Sequence, residues 1–453
     1  MQNYIKRIPD EIKRDPASFR DPASNVYAGE DIIIREIYPS YYQEYDHLMA
    51  GLYNELMDKD LIIGHKQLSR TADRIVIAPD LVEFISYPYE WNFNQVKAAA
   101  LATLAINFTA LNHGMMLKDA SAYNIQFYKD AWRLIDTCSF MEYTGDTPWP
   151  AYSQFLRHFL NPLLLIKYVH THENKLSQIY LDGIPTPYTT NRLPFHCHIY
   201  PKIWTHAYIQ SWSDLFKEIN PKRTVHMSRI QLVAFLENLY HLIKSLNYKP
   251  FMDRGWIKYA EAGSYTPDAL SRKKEIVKEI LSEIRGRRLL DLGANTGDYS
   301  KIAANKGFDV IAVDSDHDCM FALNGKLDVL PLVVDLCNPS PAIGWSNTER
   351  RGFWDRIGKV DCIMALALIH HLSIRNNVPL GLVADLLADH TNKYLILEWI
   401  PADDKQAARL LGSKHIPEYS PAEFVDQFSR RFIFGKAFPI EGSKRIIYLM
   451  EKK

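Results

Sequence analysis

The stretch Arg288-Leu-Leu-Asp-Leu-Gly-Ala-Asn-Thr-Gly-Asp-Tyr299 places a carboxylate, Asp291, two residues before Gly293 and follows it with Asn295 and Gly297. Glycine reaches backbone conformations closed to other residues, so a chain can turn sharply out of a strand and bring its backbone against a ligand. A second acid, Asp314, ends the apolar run Asp309-Val-Ile-Ala-Val313, 23 residues after Asp291. An acid about 20 residues past such a loop reaches the hydroxyls of a nucleoside ribose. The GxGxxG spacing that cradles a pyrophosphate is absent, because these glycines are spaced GxxxG and no third one follows. The chemistry indicated is nucleoside binding without a diphosphate. The plainer alternative is a tight strand-to-helix turn with no ligand.

Further along, Asp335 follows Leu332-Val-Val334, and His370-His371 follow Ala365-Leu-Ala-Leu-Ile369. Imidazole titrates near neutral pH and suits general-base work. Placed at a strand end, the two histidines alternate, one toward the cleft and one away. The pair therefore reads either as a base for an oxygen acceptor or as a shaped pocket wall. His196-Cys-His198 reads as strand neighbours facing opposite ways, and no metal site is expected there.

These motifs, in this order, resemble the class I S-adenosylmethionine (SAM) dependent methyltransferases, over about Tyr259 to Lys453. The resemblance implies SAM as cofactor, with Asp291, Gly293, Asn295 and Gly297 in its first loop. It assigns Asp314 to the ribose and Asp335 to the adenine, with Ala365 on the fourth strand. Glu398-Trp-Ile-Pro-Ala-Asp403 ends the next strand. The lead-in Trp256-Ile-Lys-Tyr259 to Tyr265-Thr-Pro267 resembles segments whose aromatics cover the cofactor, so Tyr259 and Tyr265 are candidate lid residues; a packed interdomain linker is the alternative.

In the N-terminal half, Leu117-Lys-Asp-Ala-Ser-Ala-Tyr-Asn124 spaces Asp119 and Asn124 as in the D-x-x-x-x-N of kinase catalytic loops, and Asp136 follows a hairpin. The order is similar to a kinase C-lobe, with Tyr87-Pro-Tyr-Glu-Trp91 as a hinge. Leu117 stands where kinases carry histidine, and Thr137-Cys138 where they carry Phe-Gly. Arg35 lies in the strand that would hold the phosphate lysine, and the first 95 residues contain only Gly29, Gly51 and Gly64. Asp119, Asn124 and Asp136 thus read as a vestigial site. Across both halves, LKDASAYNIQF, LIDTCSF, Pro148-Trp-Pro-Ala-Tyr-Ser-Gln-Phe155 and Phe159-Leu-Asn-Pro-Leu163 resemble bacterial methyltransferases related to the nodulation protein NoeA. That resemblance implies methylation of a glycan or other small molecule. A bifunctional kinase–methyltransferase and a non-catalytic SAM-binding scaffold remain the alternatives.

The elements that must position these groups follow from pattern. An extended lead-in is expected over 1–24, a kinase-like or substrate-binding α+β domain over 25–245, a connector and cofactor lid over 246–275, and a doubly wound Rossmann-like α/β domain over 276–453. Strands are predicted at 31–37, 74–78 and 81–86, helices at 41–59 and 97–111, and a hairpin turning at Lys129-Asp130. In the C-terminal domain, 289–292 and 309–313 read as strands around a helix at 299–306.

The whole chain of 453 residues is 47% hydrophobic, with 53 basic and 53 acidic side chains. Zero formal charge argues against nucleic-acid binding through bulk charge. Five scattered cysteines without a CxxC point to a reducing, cytoplasmic setting. No apolar run reaches the roughly 18 residues of a membrane span.

Overall fold

The computed structural model describes residues 12–29, 32–219, 226–250, 265–323, 329–414 and 416–453; within 215–219 it describes the backbone alone. The chain divides into two units, one of residues 1–248 with 342–351 and one of residues 249–341 with 352–453.

β-Branched runs build the first unit's sheet. Strands β1 (Lys13–Arg14), β2 (Ser24–Ala28), β3 (Ile33–Ile37), β4 (His65–Arg70) and β5 (Ile75–Pro79) pair antiparallel in the order β1-β2-β3-β5-β4. Ile37, Ile75 and Ile77 leave one face to meet Tyr41, Tyr45 and Cys138 in a buried cluster. Over residues 12–24 the expected extended lead-in is corrected, and residues 1–11 lie outside the described residues. Asp15 caps a helical turn at Pro16–Arg20, its carboxylate accepting the Ala17 amide at 2.7 Å, and the flanking residues join the sheet. β4 escaped prediction because His-Lys-Gln-Leu-Ser-Arg has no apolar alternation, as suits an edge strand paired only with β5.

The predicted strand at 81–86 does not form. Val82 and Phe84 are buried, which explains the apolar pattern. The Ser86 backbone is met by a side chain and not by a ladder. Its N–H donates to Gln126 Oε1 at 2.9 Å, and its carbonyl accepts from Gln126 Nε2 at 3.0 Å. Asn92 caps the 20-residue helix Phe93–Asn112 that follows. After β6 (Met115–Leu117), the hairpin β7 (Ile125–Tyr128) and β8 (Ala131–Leu134) turns at Lys129 and Asp130. Both have positive φ, as a two-residue hairpin of primed type requires. β9 (Phe140–Glu142) pairs with β6. His196-Cys-His198 lies in a helical turn, Phe195–Ile199, and not in a strand.

In the second unit, Pro267 opens the helix Pro267–Glu283 behind a Thr266 cap. Seven strands follow: β10 (Arg288–Leu292), β11 (Asp309–Asp314), β12 (Val329–Val333), β13 (Val360–Ala365), β14 (Thr391–Trp399), β15 (Phe432–Pro439) and β16 (Ile446–Lys452). Their order is β12-β11-β10-β13-β14-β16-β15; β10 to β14 run parallel, and β16 is antiparallel to both neighbours. Leu289, Val310, Ala312, Cys362, Met364 and Ile396 are buried against Ile276, Val277 and Ile280 of the first helix in one core. Strand order reverses between β10 and β13, so a crevice opens beyond their carboxyl ends. Among the described residues, no helix is long and apolar enough to cross a membrane.

One pair in the first unit has a direct energetic consequence. Arg35 on β3 meets the carboxylate of Asp136, which follows β8, and both are largely shielded from water. Removing one partner of a buried pair leaves an uncompensated charge and costs about 3 kcal/mol or more, whereas replacing both with apolar groups costs far less. Urea unfolding should therefore show Arg35→Met strongly destabilised, with much of the loss recovered in Arg35→Met/Asp136→Leu. Equal stability of Arg35→Met and the native chain would contradict this.

Candidate functional site

Gly293 and Gly297 carry positive φ of 72° and 75°, and Asn295, a residue that tolerates this region, has φ 49°. At Gly297 a side chain is excluded twice over, since an added Cβ would lie 2.1 Å from Leu323 Cδ1. The turn is pinned to the neighbouring strand: the Gly293 and Ala294 amides donate to the Val313 carbonyl at 2.8 and 3.0 Å. The Asn295 amide donates to Asp314 Oδ2 at 2.9 Å, and the Asp316 amide to Asp314 Oδ1 at 2.9 Å. One carboxylate thus orders two strand-end loops.

These loops line a cavity of about 360 Å³ in the second unit. After β10 come Gly293 to Thr296, at the end of β11 Asp314 and Ser315, after β12 Val334 to Cys337, and after β13 Leu366 to Leu368. The size lies within the usual range for small-molecule sites. Of the predicted site residues, Asp291, Gly293, Asn295, Asp314, Asp335, Tyr265 and His371 line it. Gly297 is not among them; it caps the helix Asp298–Ala304 from behind. Ala365 is buried at the end of β13, and the lining falls instead to the next three residues, because the chain leaves the sheet there. Tyr259 lies outside the described residues.

The histidines are placed otherwise than expected. They follow a loop after β13 and open the helical turn His371–Arg375, so strand alternation does not orient them. His371 reaches the cavity, while His370 is fully buried with its ring centroid 4.0 Å away. Burial, with Arg375 and Arg445 nearby, holds His371 down at about 4, and burial together with His371 holds His370 lower still. Both imidazoles are neutral at pH 7, and the same shift makes them weaker bases than a free imidazole.

Sequence reasoning missed a charged group deeper in the wall. Glu398, on β14, is fully buried. Lys273 Nζ lies 2.7 Å from its Oε2, which also accepts the Ala367 amide at 2.8 Å. Oε1 accepts the Tyr265 hydroxyl and sits 3.6 Å from Arg445 Nη1. Arg445 in turn grips Asp404 through two bonds of 2.9 Å. The Lys273 ammonium stands 5.0 Å from the Tyr265 ring centroid and 4.8 Å from that of Tyr299. Burial draws the Glu398 carboxyl up and the Lys273 ammonium down. A signal did exist: Lys273 occupies the apolar face of its helix, in line with Ala269, Ile276 and Ile280. Ala367 has φ 52°, unusual for alanine, and its bond to Glu398 offsets that strain.

In the first unit, Asp119, Asn124 and Asp136 are joined by hydrogen bonds. Asn124 Nδ2 donates to Ser139 Oγ at 3.3 Å, and Ser139 Oγ donates to Asp136 Oδ2 at 2.7 Å. Asp119 Oδ1 accepts from the Ser121 amide and from Gln154 Nε2. Burial and the nearby Asp136 raise the Asp119 carboxyl. Burial also works against ionisation of Asp136, but Arg35 and Ser139 outweigh it and hold that carboxyl low. Asp21 and Cys138 bring ligand atoms close to Asp136. Arg35 already supplies the positive charge there, and burial pushes the Cys138 thiol up to about 12.

No family model matches the chain. It is 32% identical to the Nodulation protein NoeA of Rhizobium meliloti (strain 1021), over 97% of this chain and 96% of that one. Among solved structures, the N-methyltransferase NodS from Bradyrhizobium japonicum WM9 aligns with a TM-score of 0.31 at 9% identity, covering 41% of this chain and 97% of that. Magnesium protoporphyrin IX methyltransferase (ChlM) from Synechocystis PCC 6803, with bound SAH, aligns with a TM-score of 0.31 at 15% identity, covering 44% and 92%.

The cavity acids carry a pH signature. Burial raises Asp291 to about 7, against a 2.5 Å bond from Ser300 Oγ, and raises Asp314 to about 6. In the unfolded chain both ionise near pH 4, so between about pH 4 and 7 the folded state binds more protons and stability falls as pH rises. Asp291→Asn keeps a neutral group there. Unfolding free energies measured from pH 4 to 8 should show the native chain losing ground to Asp291→Asn as pH rises, by at most about 1.4 kcal/mol per pH unit. Parallel curves would contradict the raised carboxyl.

Proposed function

The chain belongs to the family of the nodulation protein NoeA, and from that premise and the strand-end cavity we propose that it is a SAM-dependent methyltransferase acting on an oxygen of a glycan or other small molecule. The observation that carries this reading is the convergence of the left-handed Gly293–Asn295 turn, Asp314 and Asp335 on one cavity at the switch point of a doubly wound sheet. The donor set fits a nucleoside with a short charged arm. Asp314 has both oxygens oriented by backbone amides and offers its remaining lone pairs to ribose hydroxyls, with Asp335 beside it at the end of the next strand. Asp291, Lys273 and Arg445 line the same cavity and offer polar partners to the charged ends of an amino-acid moiety.

Bound there, SAM would supply an electrophilic methyl on sulfur. The protein's part is alignment, exclusion of water and handling of a proton. Neutral His371, within the lining, is positioned to take the proton of an acceptor hydroxyl; His370, packed behind it, fixes the ring. Titration calorimetry with S-adenosylhomocysteine tests the reading. One site per chain is expected. Asp314→Ala should weaken binding by roughly 1.5–3 kcal/mol, about ten- to a hundredfold. His371→Ala should bind about as well as the native chain, because its role lies in transfer and not in cofactor affinity. Absence of binding, or an Asp314→Ala variant of native affinity, would remove the assignment.

The first unit supports an accessory reading, a kinase-like fold that no longer transfers phosphate and helps present the acceptor. A five-stranded antiparallel sheet, a connecting segment, a long helix, the Asp119–Asn124 loop, a hairpin and Asp136 occur in kinase order. Arg35 occupies the carboxylate that would hold Mg²⁺ in such a site. Mg-ATP should give no thermal stabilisation. A stabilisation abolished by Asn124→Ala would favour the bifunctional alternative.

A further inference from the structure

Between Asp182 and Asp214 lie 31 residues without a single acid; they hold Arg192, Lys202 and three histidines. Within this tract, the turns Phe195–Ile199, Pro201–Ile203 and Trp204–Tyr208 run directly into the helix Ile209–Ile219. One side of the segment is firmly anchored. Cys197, Ile203 and Ala207 are buried, and His206 is held between the Tyr152 hydroxyl at 2.8 Å and Asn238 Oδ1 at 3.1 Å. The other side presents large apolar groups to solvent. Phe195 is 84% exposed, Ile199 72% and Trp212 53%, and Tyr200, Trp204 and Ile209 are exposed as well. The Trp204 and Trp212 rings lie 5.6 Å apart, edge to face, so they form one patch. Lys202, His196 and His198 are exposed among them.

A contiguous exposed apolar patch marks a protein or membrane interaction site. The composition decides between the two. Tryptophan and tyrosine with interleaved lysine is the set that settles at the headgroup level of a bilayer, where the ring bodies are buried and the polar ends stay wet. Cores of protein interfaces, by contrast, are depleted in lysine. The absence of acids over the whole tract removes repulsion from a negative surface, and Lys202 adds attraction. We propose that the face formed by residues 195–212 docks this protein onto the surface of an anionic phospholipid bilayer, lying on it without spanning it.

Co-sedimentation of the full chain with vesicles provides the test. Mixed phosphatidylcholine and phosphatidylglycerol vesicles should pull the protein down, and pure phosphatidylcholine vesicles should do so weakly. Trp204→Ser/Trp212→Ser should lower partitioning on the mixed vesicles by roughly tenfold or more, since two large apolar side chains no longer insert. Lys202→Glu should weaken binding to the mixed vesicles and leave the weak binding to phosphatidylcholine unchanged. Both sites are exposed, and an unaltered unfolding temperature confirms that the variants fold. Failure of the native chain to sediment with the mixed vesicles would overturn the proposal, as would native-level binding by the double tryptophan variant. A self-associated native chain that the double tryptophan variant makes monomeric would also overturn it, by assigning the patch to a second copy.

Discussion

A carboxylate with no access to water organises the second unit. Glu398 could not be buried alone, because an unpaired charge in the interior costs several kcal/mol. It is held instead by Lys273 from the first helix, by Tyr265 just ahead of that helix, by the Ala367 amide after β13 and by Arg445 ahead of β16. Three segments distant in the chain are thereby tied to one side chain. The tie sets the cavity wall: Tyr265, Lys273, Ala367 and Arg445 all line the space on which the strand-end loops converge.

Elsewhere in the lining the same logic runs through Asp314. Two loop amides close on its carboxylate, so the turn after β10 and the turn after β11 share one anchor. The left-handed glycines make that closure possible, and Leu323 against Gly297 shows how little room remains. Amide-anchored loops and charged side chains in one lining, with a neutral imidazole among them, are suited to aligning two reactants. Little else is required when one of them already carries an activated group.

The strand-end half of this cavity was legible in the sequence because its pattern is local. Glycines, an asparagine and acids at strand ends announce a turn and a ligand within a few dozen residues. The hairpin at Lys129-Asp130 was legible for the same reason. The charged wall was not, because Lys273, Glu398 and Arg445 meet only through tertiary packing; the lysine on an apolar helix face was the one local trace. The histidine pair was found but misplaced, since a short loop after β13 replaces the strand continuation that alternation assumed. The segment 81–86 deceived for the opposite reason: its side chains are buried like a strand's, yet a glutamine side chain takes the place of the neighbouring strand.

The decisive measurement is a crystal structure of the chain with S-adenosylhomocysteine. The ribose hydroxyls are expected within hydrogen-bond distance of Asp314, the adenine beside Asp335, and the amino-acid end toward Lys273 and Asp291. The same ligand bound elsewhere, or excluded from a cavity whose loops keep the geometry described, would contradict this.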